Sequence, residues 1–130
     1  MSDSLTDELL RLTHRLLASI AERDWATYKE LCDPTLTAFE PEAHGQLVEG
    51  MDFHHFYFNL SGQQRNQHTT LCSPHVRVMG DVAVVAYIRL HQKLNAEGSP
   101  VTHGFEETRV WQKQQGRWRH VHFHRSPLPG

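Results

Sequence analysis

The sequence predicts an α+β domain in which N-terminal helices pack against a strongly curved antiparallel sheet built from the C-terminal half. Apolar residues recur at spacings of three and four up to about residue 60 and at every second position from His68 onward, so the hydrophobic period changes once. Helices first and strands afterwards, without alternation, is the pattern of segregated layers. A length of 130 residues adds a third observation, because it suits one domain spanning 1–130 with a single core.

Ser4, with Asp7 three residues later, forms a weak capping box for a long amphipathic helix carrying Leu5, Leu9, Leu12, Leu16 and Ile20. Asp24 is placed to cap a second, shorter helix presenting Trp25, Tyr28 and Leu31. That helix must stop before Asp33-Pro34, since proline disfavours helix in the residue before it. Leu36 to Glu40 and Leu47 to Glu49 read as short strands interrupted by Pro41 and Gly45. Asp52 then caps a third helix bearing Phe53, Phe56, Tyr57 and Leu60. Ser61 to Gln67 is polar and contains glycine, which marks a loop and the segment expected to move most. Four consecutive antiparallel strands follow at about 68–79, 82–93, 101–114 and 117–125, separated by Gly80-Asp81, Asn95 to Ser99 and Gln115-Gly116.

Composition excludes several function classes. Thirteen Lys+Arg against fifteen Asp+Glu give a formal charge of −2, so no basic field attracts nucleic acid. Eleven histidines stand out, because any interface rich in them responds to acid. Two cysteines, Cys32 and Cys72, are too few for a disulfide scaffold and read as reduced, core-packing thiols in a cytoplasmic setting. Nowhere does the chain approach ~18 consecutive apolar residues, and its first residues lack a secretion signal, so no membrane partner is expected. It carries no glycine-rich phosphate loop, no kinase catalytic motifs, no G-x-S-x-G and no H-E-x-x-H, and nothing calls for a cofactor.

Three arginines sit where strands should be apolar. Arg89 ends the run Val82 to Ile88, Arg109 lies within Glu106 to Trp111, and Arg125 follows Phe123-His124. A buried arginine needs a carboxylate or a wet cavity. Ion pairs with Glu106, Glu107, Glu40 or Glu42 would satisfy them, and so would a cationic pocket for a small carboxylate, whose geometry matches a guanidinium fork. By alternation from the hairpin tip, a three-residue turn places Arg109 and Arg125 on one face and a two-residue turn does not.

His120, His122 and His124 alternate and should share a face of the last strand with Trp118 beside them. Neighbours two apart on a strand are ~7 Å apart and need another strand's help to hold zinc, so half-exposed sheet or interface histidines are expected and no metal. Asp52 and His54, ahead of the aromatic helix, form an Asp/His pair that could act as acid or base inside a cavity; a helix cap and a pocket wall are the structural alternatives.

Taken together, Cys32-Asp33-Pro34, Thr37 to Ala43, Leu47 to Gly50, Asp52-Phe53-His54, Phe56-Tyr57-Phe58, Ala86-Tyr87-Ile88-Arg89, Glu106 to Trp111 and Val121 to Ser126 closely resemble the association (hub) domain of calcium/calmodulin-dependent protein kinase II. The resemblance covers nearly the whole chain in order. It implies the cone-shaped nuclear transport factor 2-like fold and a role in assembly, with homodimers that can close into a stacked ring. It also implies that Arg89, Arg109 and Arg125 line a pocket for a small carboxylate together with Tyr28 and His54. The loop after Phe58 is shorter than in the animal family and lacks its tryptophan, so a ligand gate does not carry over. With no kinase sequence in this chain, the expectation is a stand-alone hub, with a separate kinase as a conceivable client. The other reading is a cavity enzyme of the same fold, an isomerase, dehydratase or hydrolase using Asp52 or His54 as acid/base.

Overall fold

Helix α1 (Ser2–Ala21) begins ahead of Ser4, so that serine lies inside the helix rather than capping it. Its inward stripe buries Leu9, Thr13, Leu16 and Leu17, and the buried hydroxyls are satisfied locally: Thr13 donates to the Leu9 carbonyl at 2.9 Å and Ser19 to that of Leu16 at 2.6 Å. Helix α2 (Trp25–Leu31) is capped as predicted, Asp24 accepting from the Thr27 amide at 3.2 Å and its hydroxyl at 2.7 Å. The computed structural model describes residues 2–60 and 66–129. Most of the predicted loop, 61–65, lies outside the described residues.

Strand β1 (Cys32–Phe39) starts earlier than Leu36 and runs through Pro34. Its pairing shifts register between Cys32 and Thr37, which accommodates a residue that cannot donate to a ladder. A 3-10 turn (Pro41–Ala43), the two-residue strand β2 (Val48–Glu49) and helix α3 (Asp52–Phe58) follow. Asp52 does not cap α3. Met51 occupies that place without a side-chain bond, and Asp52 is the first helical residue, where its charge suits the helix N-terminus.

Strands β3 (His68–Met79), β4 (Val82–Leu94), β5 (Pro100–Gln114) and β6 (Arg117–Pro127) form the predicted antiparallel meander. The complete sheet has the order β2-β1-β6-β5-β4-β3 and is mixed, because β1 pairs with β6 in parallel. The expectation of an all-antiparallel sheet fails there for a topological reason. No hairpin ties β1 to β6; the chain between them passes through α3 and the whole meander, so nothing forces their directions to oppose. Helices α1 and α2 cover one sheet face, and between them and the strands lies the core of Leu9, Leu16, Tyr28, Leu36, Val85 and Trp111.

The β5–β6 hairpin sets the geometry of everything below. Its tip is a two-residue turn, Gln115-Gly116, with φ of 53° and 79°, the doubly left-handed turn that matches strand twist. Pairing runs Gln114 with Arg117 up to Trp111 with His120, then resumes as Val110 with His122, leaving Val121 as an extra residue. This bulge shifts the alternation by one. Trp118 and His120 point inward before it, and Phe123 points inward after it. Arg109 and Arg125 therefore share a face despite the two-residue turn, because the bulge supplies the missing residue.

Candidate functional site

The inner face of the meander carries charge at its centre. Alternation places Tyr87 and Arg89 of β4, Phe105, Glu107 and Arg109 of β5, and Phe123 and Arg125 of β6 on that face. Tyr87 lies opposite Glu107, which lies opposite Arg125, so the carboxylate sits mid-row between a phenol and a guanidinium. Glu107 and Arg109 are each only 2% exposed.

Glu107 organises the cluster. Its Oε1 accepts from the Tyr87 hydroxyl at 2.7 Å and from Arg109 Nη2 at 3.1 Å, while Arg109 Nε donates to the Tyr87 oxygen at 2.8 Å, closing a triangle. Its Oε2 lies 2.8 Å from Arg89 Nε, an ion pair in which the N–H is not aimed along a hydrogen bond. Burial alone would raise the Glu107 carboxyl, but Arg109, Arg89 and the Tyr87 hydroxyl overturn it and hold the group below the usual carboxylate range. Burial likewise works against the charge on Arg109, and the Tyr87 oxygen and Glu107 reverse it, so its affinity for the proton rises. Burial wins at Arg89, whose pKa falls, with Arg109 and Arg125 adding to the effect against Glu107. Tyr87 is pushed up to about 12, chiefly by burial. The aromatic rings separate the cations: the Phe105 centroid is 5.1 Å from the Arg89 guanidinium and 5.0 Å from that of Arg125, and Arg109 lies 4.6 Å from the Phe123 centroid.

A second group of charges meets the first where the 3-10 turn approaches α3. Glu40 accepts from His54 Nε2 at 2.5 Å and lies 3.7 Å from Arg125, which also pairs with Glu42. The His54 ring packs 5.4 Å from Phe123 and 6.1 Å from Tyr28, and burial raises the Tyr28 hydroxyl well above its ordinary value. The cluster borders a cavity of about 400 Å³ lined by Tyr28, Glu40, Glu42, His54, Arg89, Phe105, Arg109, Phe123 and Arg125, and farther out by Gln67, Thr69, His91 and Lys93.

All five residues expected at a pocket, Arg89, Arg109, Arg125, Tyr28 and His54, line this one cavity. Asp52 does not. It is exposed on α3 two residues before His54, ~200° away around the helix axis, and so cannot serve as a cavity acid or base. Of the carboxylates considered as partners, Glu107, Glu40 and Glu42 pair with arginines, whereas Glu106 lies on the opposite sheet face. Tyr87, Phe105, His91 and Lys93 were missed. The signal was present, since Tyr87, His91 and Lys93 sit at even spacings from Arg89 on one strand.

The three histidines do not share a face. The Val121 bulge sends His120 into the core, fully buried, with Nδ1 3.5 Å from Cys32 Sγ and its ring against Trp111 and Phe123. Burial, aided by Arg109, pushes its pKa well down, and burial also raises the Cys32 thiol to about 12. His122 and His124 stay on the outer face, His122 2.7 Å from the Thr37 hydroxyl and both rings near Phe39. Among the described residues no three His, Cys, Asp or Glu side chains gather as metal ligands, and no helix is long and apolar enough to cross a membrane.

Comparison with known proteins follows this geometry. Residues 6–129 match the family described as the calcium/calmodulin dependent protein kinase II association domain. The chain is 50% identical over 125 residues to the calcium/calmodulin-dependent protein kinase type II subunit delta of Oryctolagus cuniculus, covering 94% of this chain and 24% of that protein. It therefore spans about a quarter of that curated relative. Among solved structures, the association domain of C. elegans calcium/calmodulin-dependent protein kinase II superposes with a TM-score of 0.89 at 46% identity, covering 95% of this chain and 96% of that one. A nuclear transport factor 2-like superfamily protein from Salmonella enterica superposes with a TM-score of 0.80 at 22% identity, covering 100% of this chain and 95% of that one, which shows the shared fold alone. The chain has the nuclear transport factor 2-like fold and belongs to the calcium/calmodulin-dependent protein kinase II association domain family.

Proposed function

We propose that this chain assembles with copies of itself, as a hub, and holds a small carboxylate in its cavity. The observation that carries assembly is the outer face of the sheet. Val84, Val110 and His122 form one row across β4, β5 and β6, and Ala86, Thr108 and His124 form the next, with Phe39 beyond on β1. Helices α1 and α2 pack on the other face, so this apolar and imidazole strip has no cover from them. A second copy laid across it would bury on the order of 2,000 Å² in total. Family membership supports the same reading, and a separate kinase is the client such an assembly would gather.

Native mass spectrometry at micromolar protomer concentration tests assembly. Oligomers are expected, Val110→Glu should dissociate them, and a spectrum of monomer alone would sink the proposal. The carboxylate reading draws on the guanidiniums around Phe105, of which Arg125, with 15% of its side chain exposed, reaches solvent most readily. Small carboxylic acids should raise the melting temperature, and Arg125→Ala should remove that shift while the oligomer persists.

The contact between Glu40 and His54 favours a second reading, a cavity enzyme in which Glu40 orients His54 as acid or base. Incubation with the acids that stabilise the protein, followed by product analysis, separates the two: turnover that Glu40→Gln abolishes would establish the enzyme.

A further inference from the structure

The outer strip carries an uneven charge pattern once its rows are followed across the whole sheet. One row runs Arg77, Val84, Val110, His122 and Thr37 from β3 to β1, and the next runs His75, Ala86, Thr108, His124 and Phe39. Paired residues share a face, so three imidazoles and a guanidinium flank an apolar centre, and neither row contains a carboxylate. The acidic residues nearest to them stand at the margins: Glu106 in the adjoining row, between Ile88 and Ser126, and Glu49 on β2, beyond Thr37. Glu40 and Glu42, close to the same edge, are engaged on the cavity side by His54 and Arg125. Arg119 points outward on β6 ahead of the bulge, its Nη2 donating to the Cys32 carbonyl at 2.6 Å. The fixed charges bordering the rows are therefore mixed, Arg77 and Arg119 against Glu49 and Glu106, and the histidines decide how the face changes with pH.

Within one copy these imidazoles still meet water, His75 and His124 being exposed and His122 half-buried. Burial lowers the His122 pKa, His124 beside it adds to that, and the Thr37 contact at 2.7 Å opposes it. A second copy laid on the strip removes the remaining water, and a twofold contact presents the same strip from both sides. Matching rows of the partner bring further imidazole and guanidinium but no carboxylate, so an imidazolium there is both desolvated and set against like charge. We infer that contact between copies through this strip holds while His75, His122 and His124 are neutral and is released when they take up protons. The inference rests on the reading of the strip as the self-contact and deepens it by naming what regulates it.

Analytical ultracentrifugation of the whole protein at pH 7.5 and pH 5.5, read as the protomer concentration at half-assembly, provides the test. An imidazole of ordinary pKa, ~6.5, that stays neutral in the contact weakens it about ten-fold over that interval. His122 and His124 of two copies supply several such groups, so a rise of at least about 100-fold is expected, reversed on return to pH 7.5. A rise below about ten-fold, with oligomers at both pH values, would overturn the inference and leave assembly standing. Monomer alone at pH 7.5 would sink the assembly reading, and this one with it. Circular dichroism separates release from unfolding: the released copies should stay folded at pH 5.5, and loss of structure in step with dissociation would assign the effect to the core, at His120, and overturn the inference. Replacing His122 and His124 together by glutamine should bring the ratio between the two pH values down to about ten-fold or less, whereas His14→Gln, on the exposed side of α1, should keep it in full. If the double variant does not assemble, His124→Gln alone should still cut the ratio several-fold, and an undiminished ratio in either variant would refute the assignment.

Discussion

Replacing Glu107 by glutamine keeps the shape of the side chain and removes the only charge that faces both Arg89 and Arg109 within ion-pair distance among the described residues. Two guanidiniums would then remain, one of them 2% exposed, beside a phenol, an amide and the faces of Phe105 and Phe123 but no anion within ion-pair distance of Arg109 among the described residues. Breaking a buried pair by deleting one partner costs about 3–5 kcal/mol, because the surviving charge stays desolvated. For 130 residues, an unfolding entropy of about 2.1 cal/mol/K per residue converts that into a fall of roughly 11–18 °C in Tm. The acid limb should change as well. Because the folded carboxyl lies below its unfolded value, its contribution is complete above the unfolded range near ~4.3 and disappears as pH falls through the folded value. Glu107→Gln should therefore melt low at pH 7 and lose part of its dependence on pH below 5. Differential scanning calorimetry at fixed protomer concentration reads both effects, with Glu106→Gln on the opposite face as a control expected to move Tm by no more than about 2 °C. A Tm for Glu107→Gln within about 3 °C of the parent at pH 7 would refute the idea that this carboxylate holds the arginines in the sheet.

The remaining predictions concern the charges around this centre. Glu42→Gln removes a partner of Arg125 and should strengthen binding of a small carboxylate by several-fold in a calorimetric titration; weaker binding would show that Glu42 positions the arginine instead of competing for it. His120 is held neutral by burial, so stability should fall as pH drops below ~6.5, where the unfolded chain takes a proton that the folded one refuses. His120→Phe should flatten that slope in urea titrations, and an unchanged slope would assign it elsewhere. Cys32, with its thiol raised to about 12, should resist a thiol reagent at pH 8 until the protein unfolds; fast native labelling at Cys32, located by peptide mapping, would contradict its burial.

The layers were legible because they follow from hydrophobic period. The leucines of α1 and the alternating residues of β4 bury the side each pattern indicates, and the turns at Gly80-Asp81 and Gln115-Gly116 lie where those dipeptides stand. What local pattern cannot report is register far from a turn. Counting from the tip of β6 puts His120, His122 and His124 on one face, and only pairing with Val110 and Trp111 reveals the extra Val121. The parallel partnership of β1 and β6 was hidden for a related reason, since it is settled by chain path and not by any residue of either strand. The arginines were visible as charges in an apolar run, whereas their specific partners depended on that hidden register.

One inserted valine thus acts as a phase shifter between two halves of a strand. Were Val121 paired as an ordinary strand residue, the hairpin tip would stay undisturbed but everything beyond it would invert, rotating Phe123 and Arg125 toward the outside and carrying His122 and His124 within. The floor of the chamber would then be imidazole, dischargeable near neutrality, in place of a permanent cation, and the strip offered to a neighbouring copy would gain a guanidinium. One unpaired residue in β6 consequently sets the polarity of both the interior and the outer face, and a strand one residue shorter at that point would reach the same facing by plain alternation.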